Sequence, residues 1–96
     1  MIFPMEMSII IPAYNEEKRI GLTLEKTLAY LAMRPWSCEL LVVDDGSSDR
    51  TADQVREVAQ CHPVAQCLQN ERNRGKGYSI RRGVERARGW GGRTSS

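Results

Sequence analysis

Two carboxylates stand side by side at Asp44-Asp45, followed by Gly46-Ser47-Ser48-Asp49-Arg50-Thr51. Adjacent carboxylates repel, so a fold that keeps both gives them donors, a cation or open water. A second group is Pro12-Ala13-Tyr14-Asn15-Glu16-Glu17. There Tyr14 offers a flat face on which a base can stack, and Asn15 and Glu16 can hydrogen-bond a ring edge or a sugar hydroxyl. A third is Asn73-Arg74-Gly75-Lys76-Gly77. Glycines let an anion approach the backbone, helix-start N–H groups attract it, and Lys76 adds a point charge. Each group also has a plainer reading: a capping turn, a tyrosine packed on a sheet end, a glycine-rich helix start. The third group is not a P-loop, because the Gly-Lys-Ser/Thr ending is absent. It is also a poor dinucleotide fingerprint, since the third glycine position is Ile80 and the loop follows the third strand.

The elements that must carry these groups alternate. Met7 to Ile11 is a β-branched run stopped by Pro12. A helix is expected from about Glu17 to Met33, with Ile20, Leu24, Leu28 and Leu31 on one stripe and Pro35 as its stop. Glu39 to Val43 reads as a strand buried on both faces. Asp49 is placed to cap a helix from about Arg50 to Gln60, with Ala52, Val55 and Ala59 inward. Val64 to Leu68 reads as a weaker third strand, and a third helix follows with Ile80, Val84 and Ala87 inward. Strand–helix repeated three times implies α/β architecture with a three-stranded parallel sheet, the Rossmann-like mononucleotide-binding half of a doubly wound fold. Asp44 and Asp45 then fall at the carboxyl ends of the strands, where open α/β sheets bind ligands.

The totals narrow the field. A chain of 96 residues is at most one small domain. Hydrophobic content of 41% and charged content of 27% are those of a folded protein. No apolar run approaches the ~20 residues that span a bilayer, and Met1 to Met7 lacks the pattern of a secretory signal. Cytoplasmic residence is the default expectation. Cys38, Cys61 and Cys67 are odd in number, and with His62 they lack a fourth zinc ligand. The net charge of +2 hides an asymmetry. Up to residue 70 there are six Lys and Arg against ten Asp and Glu; beyond it there are eight against two. That basic end suits phosphates, an anionic surface or nucleic acid, or is simply a solvated helix face. Nucleic acid is disfavoured because aromatics do not interleave with the arginines.

Taken together, the three groups resemble the start of a family 2 glycosyltransferase of GT-A fold, over roughly residues 7 to 89. Ser8-Ile9-Ile10-Ile11-Pro12-Ala13-Tyr14-Asn15-Glu16-Glu17, Val42-Val43-Asp44-Asp45-Gly46-Ser47-Ser48-Asp49-Arg50-Thr51 and Asn73-Arg74-Gly75-Lys76-Gly77 carry the likeness. Within the family these stretches look most like dolichyl-phosphate β-glucosyltransferases, with polyprenyl-phosphate mannosyltransferases as near neighbours. The resemblance implies that Pro12, Ala13, Tyr14 and Glu16 line a base and ribose pocket. It implies that Asp44 accepts from the uracil N3–H, that Asp45 supports the pocket, and that Lys76 lies on the diphosphate side. It implies inverting transfer of a hexose from a nucleotide sugar such as UDP-glucose to a polyprenyl (dolichyl) phosphate at the cytosolic membrane face. It also implies a divalent cation, Mg or Mn, held by an Asp-x-Asp motif.

That motif is not found: no carboxylate follows Glu85, and the chain runs from Gly89 into Trp90-Gly91-Gly92-Arg93-Thr94-Ser95-Ser96. Residues 1–89 are therefore expected to form the nucleotide-sugar-binding part, truncated before the fourth strand, and 90–96 an atypical tail. The tail codons can be written so that one base earlier they read Asp-Val-Leu. A frameshifted reading of a longer enzyme and an ordinary or divergent end both stay open. Without a fourth strand the first strand becomes an apolar edge, from which self-association is expected. A non-catalytic nucleotide-binding module or truncated pseudo-enzyme, and more remotely a dinucleotide oxidoreductase fragment, are the competing readings.

Overall fold

β-Branched and leucine-rich runs separated by amphipathic stretches form, in the computed structural model, β1 (Met7–Ala13), α1 (Ile20–Ala32), β2 (Cys38–Asp44), α2 (Thr51–Cys61), β3 (Ala65–Gln69) and α3 (Lys76–Trp90). The structure describes residues 7–34 and 37–90, with α3 side chains described to residue 87. The expected leader reading, the Pro35 stop and the tail beyond residue 90 lie outside the described residues.

The three strands form one parallel sheet in the order β1-β2-β3. Register runs from Met7 opposite Cys38 to Ala13 opposite Asp44, and from Leu40 opposite Ala65 to Asp44 opposite Gln69. The central strand is buried from Leu40 through Asp44, as a run covered on both faces must be. Leu40 and Val42 join Ile20, Leu24, Leu31 and Val55 in a core beneath α1 and α2. Leu41 and Val43, also buried, belong to the face that α3 covers. Each such side chain contributes about 1.5–3 kcal/mol on burial.

β1 is an edge strand of the described sheet. Met7 N–H donates to the Ser37 carbonyl and Asp45 N–H donates to the Ala13 carbonyl, so odd positions of β1 turn toward β2. Pro12 therefore faces away, where its missing N–H costs no ladder bond.

Two expectations are corrected. The first helix starts at Ile20, not Glu17, because the Glu16 carbonyl accepts from both Arg19 and Ile20 N–H in a preceding turn. The inward stripe of α3 is not led by Ile80, which is 39% exposed. Ser79 and Gly83 are the buried positions instead. A Cβ at Gly83 would stand 2.5 Å from Ile10 Cγ2, so the helix backbone sits directly on β1 and turns Ile80 outward.

Candidate functional site

The three loops at the carboxyl ends of the strands are stitched to one another. Asn15, in the left-handed region at φ 51°, donates its N–H to Ser47 Oγ at 2.8 Å and accepts Ser48 N–H at Oδ1 at 2.9 Å. Glu16 N–H donates to Thr51 Oγ1 at 2.8 Å, and Glu17 N–H to Asp49 Oδ2 at 3.2 Å. Asp49 takes Thr51 N–H on its other oxygen at 2.9 Å, so it braces the start of α2 from just ahead of it while tying down the first loop. Burial of Asp49 pushes its carboxyl up, but the Thr51 hydroxyl and the Thr51 and Glu17 amides outweigh that and hold it below the ordinary 3.8. Gly46, at φ 72°, is where the third loop lands. A Cβ there would stand 2.3 Å from the Arg72 carbonyl carbon and 2.5 Å from Asn73 N.

Asp45 is the hub. Its Oδ1 accepts from Arg74 N–H at 2.7 Å and Asn70 Nδ2 at 2.8 Å; its Oδ2 accepts from Gly75 N–H at 2.8 Å and Asn73 Nδ2 at 3.0 Å. A carboxylate has about four lone-pair sites, and here all are used. Burial would raise this carboxyl, but donation from the Arg74 amide, Asn70, the Gly75 amide and Ser79 outweighs it and keeps it below 3.8. Asn70 and Ser79 were not singled out from sequence. Both are polar residues at buried positions, just after β3 and in the first turn of α3, and that mismatch is the signal that could have marked them.

Around this hub lies a cleft of about 310 Å³ lined by Pro12, Ala13, Tyr14, Glu16, Asp45, Asn73, Gly75 and Lys76. Six of the seven expected site residues thus meet in one place. Asp44 does not. It is fully buried, its Oδ2 accepts Ser47 N–H at 3.2 Å, and its Oδ1 has no hydrogen-bond partner. A side chain with no accessible surface cannot meet a ligand's N–H, so the base-accepting role expected of Asp44 is not available where it stands. Tyr14 is 47% exposed at the cleft, free to take a planar ring. The first helical bond of α3 is Ser79 N–H to the Gly75 carbonyl, which leaves the amides of Lys76, Gly77 and Tyr78 without partners inside the helix. A Cβ at Gly75 or Gly77 would meet nothing within 4 Å, so the backbone there is open to an anion.

A larger cavity, about 510 Å³, lies at the other end of the sheet between α1 and α2. It is walled mainly by apolar side chains such as Leu28, Ala29, Leu31 and Val58, with Glu25, Cys38 and His62 also on its lining. Cys61 and Cys67 are free thiols, and the Cys38 thiol donates to the Leu31 carbonyl at 3.9 Å. Among the described residues no three His, Cys, Asp or Glu side chains group to hold a metal ion, and no helix is long and apolar enough to cross a membrane.

An open parallel sheet whose carboxyl-end loops surround an anion-ready cleft is the nucleotide-binding architecture of the GT-A class of glycosyltransferases. The chain belongs to the family described as Glycosyl transferase family 2, which matches residues 8–90. It is 44% identical over 88 residues to a dolichyl-phosphate beta-glucosyltransferase of Trichomonas vaginalis, covering 86% of this chain and 27% of that one. It is 36% identical over 91 residues to the dolichyl-phosphate beta-glucosyltransferase of Mus musculus, covering 88% and 28%. It is 40% identical over 88 residues to an undecaprenyl-phosphate 4-deoxy-4-formamido-L-arabinose transferase of Pectobacterium carotovorum, covering 86% and 26%. Among solved structures it resembles a mannosyltransferase from Pyrobaculum calidifontis in complex with GDP-Man and Mn2+. That likeness has a TM-score of 0.69 at 26% identity, over 88% of this chain and 25% of the other. The chain spans about a quarter of the length of these relatives.

Proposed function

We propose that this chain forms the donor side of an inverting glycosyltransferase that moves a hexose, glucose foremost, from a uridine diphosphate sugar to a polyprenyl phosphate. The observation that carries the reading is convergence: Tyr14, Glu16, Asp45 and Lys76, from three separate loops, line one cleft at the carboxyl rim of the sheet. Similarity to named dolichyl-phosphate glucosyltransferases supports the sugar and the acceptor.

The lining of the cleft and the family likeness support one division of labour. The Tyr14 ring stacks on the base, and Glu16 takes ribose hydroxyls. Pro12 and Ala13 form the floor. Asp45 holds the third loop by the Arg74 and Gly75 amides, so that Lys76 and the first amides of α3 face the diphosphate. In the reaction an acceptor phosphate oxygen, already ionised, bonds to the anomeric carbon as the bond to the diphosphate breaks and its electron pair leaves with UDP. Lys76 and the α3 amides stabilise that departing charge.

A divalent cation, as in the Pyrobaculum neighbour, supplies further stabilisation in the family, but the residues present here do not fit one. The four acceptor sites of Asp45 face N–H donors and Asp44 is enclosed. A cation would have to displace the bonds that hold the cleft together. The 96-residue chain therefore binds nucleotide and does not transfer sugar by itself. Calorimetry with UDP, UDP-glucose, NAD and a short RNA, with and without manganese, tests this. The expected result is binding of the uridine nucleotides alone, with an affinity manganese leaves unchanged. Preference for NAD or RNA would overturn the reading.

A further inference from the structure

Arg82 lies outside the cleft, two turns into α3, yet it ends a chain of hydrogen bonds that begins inside it. Its Nη1 donates to Asn70 Oδ1 at 2.8 Å. The Asn70 amide is 5% exposed and donates from its other end to Asp45 Oδ1 at 2.8 Å and to Ser79 Oγ at 3.0 Å. Asp45 in turn takes the N–H groups of Arg74 and Gly75. Every bond in the series has one chemically possible direction at its ends. A guanidinium only donates, and an ionised carboxylate only accepts. Arg82 therefore satisfies the carbonyl end of a buried amide, while Asp45 takes the amino end. Buried polar networks of this kind hold one geometry when every member is satisfied and loosen when one is not.

We propose that Arg82 is a positioning residue for the donor cleft: through Asn70 and Asp45 it fixes the Arg74 and Gly75 amides on the carboxylate, and so sets Lys76 and the open amides at the start of α3 where an anionic ligand meets them. The placement on α3 supports this. Ser79 and Gly83 turn inward on the same helix, so Arg82 ties the second turn of α3 to the end of β3 just as Ser79 ties the first. The neighbouring cavity of about 390 Å³, lined by Glu71, Arg74, Tyr78 and Arg82 among others, gives the guanidinium room on its far side. Arg74 is stacked on Tyr78 at 4.8 Å, and the guanidinium that bonds Asn70 Oδ1 is that of Arg82. Arg86, by contrast, bonds the exposed Gln66 and makes no contact with this network.

The proposal rests on the nucleotide reading only for its second readout. The first needs no ligand: the Arg74 and Gly75 amide proton resonances of the 96-residue chain, expected downfield because both donate to an ionised carboxylate. Arg82→Met is expected to move both upfield, Arg82→Lys to return them toward their original positions, and Arg86→Met to leave them alone. UDP affinity is then expected to fall about tenfold in R82M and to recover in R82K. If R82M does not fold, Arg82→Gln, which keeps a donor without the charge, is read the same way. Amide resonances that stay in place in R82M, or that move equally in R86M, overturn the proposal. If the amides respond while the parent chain shows no affinity for UDP, the positioning role stands and the uridine reading falls.

Discussion

Replacing Asp45 by Asn tests whether one side chain assembles the cleft. The carboxylate accepts four N–H groups, two from the Arg74 and Gly75 backbone and two from Asn70 and Asn73. An amide of the same shape keeps one accepting oxygen and turns an NH2 toward the donors on the other side. Two charge-assisted bonds are lost. At the lower end of their range, chosen because the cleft admits water, they contribute ~1.5 kcal/mol each. The expected loss is thus about 3 kcal/mol, a large share of the ~5–15 kcal/mol that holds a domain together. Urea unfolding should show the midpoint falling by about 2–3 M. Acid dependence gives a second reading. Asp45 is held below its ordinary 3.8, so its ionised form stabilises the fold above that pH, and the contribution is lost as pH falls below it. In D45N that part of the acid sensitivity disappears, while the part from Asp49, which is shifted in the same direction, remains. A D45N chain within about 0.5 kcal/mol of the parent, with an unchanged acid limb, would refute the hub argument.

Gly46→Ala forces a side chain into a positive φ and against the Arg72 backbone, so a loss of at least about 2 kcal/mol is expected in the same urea assay, with UDP affinity falling alongside. Tyr14→Ala removes an exposed ring; stability should stay within about 0.5 kcal/mol while calorimetry shows UDP binding weakened by up to about tenfold. The open β1 edge is expected to make the chain self-associate, read as a concentration-dependent sedimentation coefficient and melting temperature. A monomer with a sharp, concentration-independent melt would count against it.

Strand and helix alternation was legible because hydrophobic period tracks burial closely here. The Ile20, Leu24, Leu28, Leu31 stripe and the Leu40–Val43 run fall where the core is. The third loop was legible as a candidate because Gly75 and Lys76 put glycine and charge at a helix start, and the structure places both on the lining of the cleft. What was not legible were the exchanges between polarity and burial. Ile80 lost its place to Ser79 and Gly83 because α3 approaches β1 too closely for a large side chain to lie between them. Asn70 and Ser79 are buried because Asp45 offers a charge to satisfy, a partnership spanning 25 residues that no local pattern encodes. For the same reason sequence could not tell which of two adjacent carboxylates faces the cleft. That depends on strand parity at the end of β2, which a single residue of register would reverse.

All strand pairings in this sheet are parallel, which governs the order in which the molecule can form. Among the described residues no strand reaches its neighbour by a tight hairpin; each pairing must wait for an intervening helix, and such non-local contacts form slowly. The Asp45 contacts to residues 74 and 75 close over 29 and 30 positions and come after both crossovers. During synthesis, then, the hydrophobic layers can settle while the cradle is still absent. The cleft is complete only when α3 has left the ribosome and swung back over the sheet.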